Sequence, residues 1–433
     1  MWEKIKLIEI IGSLFIFIVS FIFFVYGRIH RTIVAMTGAA SMLIFGIVMG
    51  FYSQSLAFNA IDFNTIGLLL GMMIIVNILK RSGLFRYLAI KGVKMTGGDP
   101  WKLLVTLGLL TAFISMIIDN VTTILLMSPV TLLVSDILGI SPLPMLLGEV
   151  ILSNIGGIAT LVGDPPNIMI GSASNLTFNS FIVHLMPVSL LAMGVSLFLL
   201  KIIFHPFLVK KKEKISQFLK MREEEAIKDK SILVKCVFSL ILVVALFATE
   251  EFHGLKPSIV ALIGAVITLL FVRPDPYEIL SEIEWPVLFF FAGLFIIVGG
   301  VDHAGALKIL GYNISNITHN PLVLSVIVIW FSAILSAFIG NIPYTAAMIP
   351  VIKHLGTIGI NTQPLWWALA IGVGLGCNYT PIGSPAGVVV MGLIDKTSSS
   401  LTFKSWIKTA GIISLITTLT TTLVFIVGFK WFS

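Results

Sequence analysis

The sequence predicts an all-α polytopic membrane protein of about ten transmembrane helices and two re-entrant hairpins, arranged as an inverted five-helix repeat with two broken helices. Three observations predict it. Of 433 residues, 57% are hydrophobic and 11% charged, where a soluble domain has about 25% charged, and the apolar residues fall in runs near the roughly 20 that cross a bilayer as a helix. The basic residues, which give a net charge of +7, segregate by loop. The chain also repeats itself. The first observation excludes a soluble globular enzyme. Cys236 and Cys377 lie too far apart in sequence for a metal motif, and they offer no disulfide framework.

Residues 7–26 are the plainest span. A Glu and two Lys precede them, the apolar run exceeds a signal-peptide core and no small-residue cleavage site follows, so the segment reads as a retained first span. Uninterrupted hydropathy then marks spans at 31–50, 65–80, 145–173, 182–208, 231–249, 257–273, 286–301, 364–394 and 405–430. Residues 84–95 carry Arg86, Lys91 and Lys94 between apolar residues, the pattern of an amphipathic helix on the inner leaflet. Residues 209–230 are too charged for lipid and read as a cytoplasmic linker.

The regions 101–137 and 321–357 do not fit single spans. Their apolar stretches, 103–135 and 321–352, would each be about 50 Å long as one helix, against a hydrocarbon core of about 30 Å. Each has polar residues at its middle, Asp119-Asn120 and Asn341, followed by Pro129 or by Pro343 and Pro350. Arms of about 16 residues, roughly 24 Å, suit hairpins that enter, turn and return. With hairpins, 22 basic residues fall on the cytoplasmic side and six outside; with single long spans the split is 13 against 15 and the positive-inside signal vanishes. This predicts a multi-pass protein of the cell membrane with both termini extracytoplasmic.

Four matches at nearly constant offset define the repeat. Ile33-Val34-Ala35 with Gly38-Ala39 recurs as Ile259-Val260-Ala261 with Gly264-Ala265, and "IDNVTTILLMSPV" from Ile118 recurs as "IGNIPYTAAMIPV" from Ile339. Thr160 with Gly163-Asp164-Pro165 recurs as Thr380 with Gly383-Ser384-Pro385, and "LTFNSF" from Leu176 as "LTFKSW" from Leu401. Residues 1–208 and 231–433 are thus two repeats. An odd number of crossings in each turns the second upside down, the construction of many secondary transporters.

Broken helices within lipid mark sites, because freed backbone groups need protein or water partners. The breaks are the two hairpin tips and the segments Ser153–Asn167 and Gly374–Gly387, where paired glycines and Pro165-Pro166 interrupt the helix. The candidate binding residues are Asp119, Asn120, Thr122, Thr123, Asn154, Thr160, Gly163, Asp164, Asn167, Asn341, Thr345, Asn378, Thr380 and Ser384. Their amides, hydroxyls and half-helix ends suit an oxyanion, a neutral hydroxylated solute or a cation. Asp119 and Asp164 are the candidates for proton coupling, since an ionised acid at the bilayer centre is costly. Asp119 can equally cap the helix after the turn, and Asp164 can serve the turn before proline. Neither acid is repeated: Gly340 and Ser384 stand in their places, so the predicted site is asymmetric. Glu149 reads as a proton relay or an acid at a cytoplasmic helix end, the second being favoured; Asp302-His303 and Asp395-Lys396 read as interfacial; and Cys377, a thiol that could meet a soft metalloid, is better read as a small packing residue.

"IDNVTT" at Ile118–Thr123, "SNIGG" at Ser153–Gly157 and "GDPPN" at Gly163–Asn167 resemble the ion transporter superfamily, in its branch of arsenite permeases and melanosomal P-protein relatives near the citrate-transporter-like domain. The likeness covers nearly the whole chain. "GNIPYT" departs from it, with Gly340 where P-protein-like sequences have Asp, which removes one charge from the second half. The resemblance implies an elevator-like movement of hairpins and broken helices against a scaffold, often in a homodimer, and an arsenite-stimulated ATPase as a partner of some members.

The first functional expectation is proton-coupled efflux of arsenite or antimonite. Sodium/proton antiport is the second. Di- or tricarboxylate transport is the third, lowered because no Lys or Arg lies in the four breaks. A membrane hydrolase would need a nucleophile or metal motif, and neither H-E-x-x-H nor G-x-S-x-G occurs. A passive channel would keep the breaks but need no coupling acid. The partners expected are a small inorganic solute, coupling H⁺ or Na⁺ and the lipid bilayer, with no nucleic acid and no cofactor.

Overall fold

A computed structural model describes residues 2–207, 223–394 and 401–433. Among the described residues there is no strand, and nine helices are long and apolar enough to cross a membrane, with shorter apolar helices beside them. The first half contains α1 (Trp2–Tyr26), α2 (Arg31–Met49), α3 (Gln54–Ala60), α4 (Phe63–Arg81), α5 (Leu84–Met95), α6 (Pro100–Ser115), α7 (Asn120–Leu138), α8 (Leu143–Ile158), α9 (Pro165–Ser174) and α10 (Phe178–Phe204). The second contains α11 (Lys230–Ala248), a single turn α12 (Glu250–His253), α13 (Pro257–Val272), α14 (Pro276–Ser281), α15 (Trp285–Ala304), α16 (Ala306–Ser315), α17 (Pro321–Ile339), α18 (Asn341–Thr357), α19 (Gln363–Gly376) and α20 (Pro385–Ile394). It closes with α21 (Phe403–Trp406), which runs through a π turn into α22 (Ile412–Val427), and α23 (Phe429–Phe432).

Apart from the single turns α12 and α23, the order of elements in the first half recurs in the second. The predicted hairpins are α6/α7 and α17/α18, and the predicted broken helices are α8/α9 and α19/α20. The arms α7 and α17 have 19 residues each, longer than the 16 expected: α7 runs from the tip residue Asn120 past the apolar stretch to Leu138, and the second tip, at Gly340, lies beyond the midpoint of its stretch, which lengthens α17. Three short helices escaped the hydropathy reading: α3, its counterpart α14, and α16, the counterpart of the predicted amphipathic α5. Each is too short or too mixed in polarity to stand out as a run. Most of the charged linker and the pair Asp395-Lys396 lie outside the described residues.

Small residues set the packing in matched positions, as expected where lipid removes any hydrophobic drive between helices. A Cβ on Gly156 would lie 2.3 Å from the Ala112 carbonyl oxygen, and one on Gly376 would lie 2.3 Å from that of Ala333, so α6 meets α8 as α17 meets α19. Between the halves, Gly71 of α4 abuts the backbone of Ala261 in α13, and Gly293 of α15 abuts that of Ala35 in α2. Helices α2, α4, α13 and α15 thereby form a scaffold beside the hairpins and broken helices.

The tips lie toward the basic end of that scaffold. Asp119 and Thr122 share a small cavity with Asn77 and with Glu284, the N-cap of α15; Asn77 is one turn from Lys80 and Arg81, where α4 ends. That cavity runs along α4 from Leu69 to Asn77, so the first tip lies between the middle of this helix and its basic end. Gly340, at the second tip, lies beside Arg31, the first residue of α2. On the opposite face a crevice of about 700 Å³ is lined by Met169 and Lys353 on one side and Asn59 and His303 on the other, and Ser172 Oγ bridges it by donating to Asp62 Oδ1 at 3.0 Å.

Candidate transport site

The site forms where two tips and two helix breaks converge. Asn120, at the start of α7, donates through Nδ2 to Asn154 Oδ1 at 2.8 Å. Asn154, near the end of α8, donates to Asn378 Oδ1 at 2.7 Å and to Ser384 Oγ at 3.1 Å, both in the second break. Asn378 Nδ2 in turn reaches the Ile151 carbonyl at 3.4 Å. All four side chains are buried. A second link joins the halves: Asn341 Nδ2 lies 3.4 Å from both carboxylate oxygens of Asp164.

The two acids differ in use. Asp119 caps α7, accepting from the Thr122 backbone N–H at 2.9 Å, the role that Asp often takes at a helix start. Asp164 occupies the N-cap position of α9 but makes no side-chain cap bond, because the prolines at 165 and 166 leave few N–H groups to accept from. Among the described residues its carboxylate, which can accept several hydrogen bonds, meets a single long bifurcated donor in a site that is 2% exposed.

Other candidates stitch the backbone. Thr160 donates to the Met116 carbonyl and Thr380 to that of Ala337, each tying a break to its own hairpin tip and satisfying a carbonyl that the tip frees. Thr160 Oγ1 also accepts from the N–H of Gly163 at 3.1 Å. Asn167 Nδ2 gathers the carbonyls of Gly157, Ile158 and Thr160 at 2.8–3.1 Å, closing the end of α8. Thr345 Oγ1 donates to the Asn341 carbonyl at 2.8 Å and Thr123 Oγ1 to that of Ile118 at 3.4 Å. Of the predicted set, Asn120, Asn154, Asn378, Ser384, Asp164 and Asn341 form the side-chain network, Asp119 and Thr122 border it at the first tip, and the rest hold the breaks in shape. Cys377 donates to the Gly374 carbonyl at 3.2 Å within its own turn.

Two expectations need correction. Glu149 is not at a helix end: it is fully buried within α8. A basic residue does reach a break. Arg31 Nη2 lies 3.5 Å from the Ile382 carbonyl, and a Cβ built on Gly340 would sit 3.9 Å from Arg31 Nη1. Nothing local to Arg31 signals this, since its partners are more than 300 residues away. Asp302, near the end of α15, is half-buried and pairs with His354 at 2.6 Å.

The cap makes a prediction. Asp119→Asn should fold like the parent, because Asn caps as well as Asp, whereas Asp119→Ala should lose about 0.5–2 kcal/mol. Thermal unfolding of both variants in detergent checks it; equal losses would mean that the charge, not the cap, holds the tip.

Paired re-entrant hairpins and broken helices around a buried polar centre define a secondary membrane transporter of many spans. Residues 21–372 match the citrate transporter family, and the chain belongs to that family, within the ion transporter superfamily. It is 38% identical over 408 residues to an uncharacterized transporter of Mycobacterium tuberculosis, covering 93% of this chain and 94% of that one. It is also 38% identical to a 46 kDa membrane protein of Mycobacterium leprae, covering 90% and 91%. The human P protein is 30% identical over 466 residues, covering 89% of this chain but 56% of the longer relative. Among solved structures, the YdaH transporter of Alcanivorax borkumensis shares the fold with a TM-score of 0.61 at 16% identity, covering 87% and 88% of the two chains. MtrF of Neisseria gonorrhoeae, described as one of a class of antimetabolite efflux pumps, has a TM-score of 0.61 at 11% identity, covering 89% and 84%.

Proposed function

We propose that this chain is a proton-coupled carrier of a small oxygen-rich solute, with arsenite and antimonite as the first candidates, and that Asp164 carries the coupling proton. The observation that carries this reading is the state of Asp164: buried, uncapped and joined to the opposite half only through Asn341. An ionised carboxylate so placed is costly and is retained where it serves ion or proton movement. The adjoining Asn120, Asn154, Asn378 and Ser384 offer donors and acceptors without net charge, which suits a neutral trihydroxide. The inverted relation of the halves, the extracytoplasmic termini and placement in the cell membrane belong to the same reading. The position of both tips at the basic end of the scaffold supports a conformer whose site lies toward the cytoplasm.

Arg31 favours a second reading, transport of a di- or tricarboxylate. A guanidinium beside the second break could pair with a substrate carboxylate, and the family name points the same way. Reconstitution in proteoliposomes with an internal pH dye separates the readings. Proton movement on adding arsenite or antimonite supports the first, and movement on adding citrate the second. A response to sodium alone would make the chain a sodium/proton antiporter, and solute flux indifferent to the proton gradient would overturn coupled transport.

A further inference from the structure

A second buried acid lies outside the network described above. Glu149 stands six residues after the first residue of α8 and nine before its last, so it is about 9 Å from the basic-face end of that helix and about 6 Å from Ser153, where the break begins. Its side chain has no exposure. Thr131 of α7 donates to Oε1, while Oε2 has no partner among the described residues. Ser128, one turn before Thr131 on α7, carries a second buried hydroxyl without a partner among the described residues.

Charge does not explain the arrangement. Of the helices packed against α8, α6 carries Lys102, α7 carries Asp136, α10 carries His184 and Lys201, and α19 and α20 carry no charged residue. Lys102, Asp136 and Lys201 are exposed. His184 is engaged with the Ser180 carbonyl and stacked on Trp367. Among the described residues the Glu149 carboxyl is bonded to Thr131 alone, so an ionised form would be an uncompensated charge in a low-dielectric site. A neutral carboxylic acid in the same place carries no such charge, and it still accepts from Thr131.

The geometry points to Glu149, with Thr131 and Ser128, as a proton-holding site between the basic face and the transport centre. Hydroxyls continue from it toward Asp164. Ser153, four residues on and so on the same face of α8, donates to Ser115 Oγ at 3.1 Å. The Ser115 carbonyl oxygen lies 2.7 Å from where a Cβ on Gly163 would stand, directly before Asp164. The site would take a proton from the basic face and exchange it with the centre, a role that rests on the coupled-carrier reading above.

Glu149→Gln tests it, because glutamine matches the neutral acid in shape and still accepts from Thr131. Infrared spectra of the full chain in lipid should show a protonated-carboxyl band that Glu149→Gln removes, Thr131→Val shifts and Asp164→Asn leaves in place. Arsenite-driven proton flux should fall about tenfold in Glu149→Gln, within the usual range of coupling between sites. If neither substitution at Glu149 or Thr131 alters a carboxyl band, the proton site is overturned. If the band vanishes while flux is unchanged in a parent that does move protons, its role in transport is overturned. A parent that moves no protons with any solute would instead refute the carrier reading, and the infrared result would still decide whether Glu149 holds a proton. Should Glu149→Gln fail to fold, the Thr131→Val shift decides.

Discussion

Asp164→Asn is expected to abolish proton coupling while leaving the protein folded. The substitution keeps the side chain's size and can still bond Asn341, now as amide to amide, so the link between halves survives. It removes the one buried acid of the central network that neither caps a helix nor meets a cation. The loss of solute-driven proton flux should be about a hundredfold, the upper end of coupling between two sites. Flux in proteoliposomes across a pH series checks it: the variant should respond neither to the gradient nor to pH. Flux within a few-fold of the parent would place coupling elsewhere, with Asp119 and Glu149 the next to test.

Asn154→Ala is expected to have the second largest effect. Asn154 accepts from Asn120 and donates to Asn378 and Ser384, so it is the hub through which three elements of the site share partners. Interhelical hydrogen bonds in membranes average about 0.6 kcal/mol, and three lost together approach about 2 kcal/mol, or roughly thirtyfold in an equilibrium constant. The partners left buried and unsatisfied add to that cost. Solute-dependent uptake should fall by at least this factor, with Thr111→Val, whose buried hydroxyl bonds the Leu107 carbonyl of its own helix, much nearer the parent. Equal effects of the two substitutions would mean that the network only packs helices.

Much of this protein could be read without coordinates because its constraints are local. A bilayer demands about 20 apolar residues per crossing, so hydropathy located the spans. It also forbids unsatisfied backbone, so Gly163-Asp164-Pro165-Pro166 and Gly383-Ser384-Pro385 revealed the breaks. The repeat then matched the two halves. The helices that were missed, α3, α14 and α16, are those for which hydropathy gives no contrast.

What the sequence determined is therefore the order of spans, hairpins and breaks, and the set of polar residues placed where lipid would otherwise be. Only the tertiary structure decided how each of those residues is used. Asp119 and Asp164 look alike in sequence, yet one caps its helix and the other faces Asn341, 177 residues away. Thr160, Thr380 and Asn167 turn inward to satisfy carbonyls, while Asn154 reaches across to Asn378. Arg31 reaches the second break from the first half, and Glu149 is sealed between α7 and α8. Hydropathy and helix breaking act on neighbours along the chain, whereas hydrogen bonds in a water-free interior are formed by whichever groups the packing brings within about 3 Å. That choice belongs to the fold.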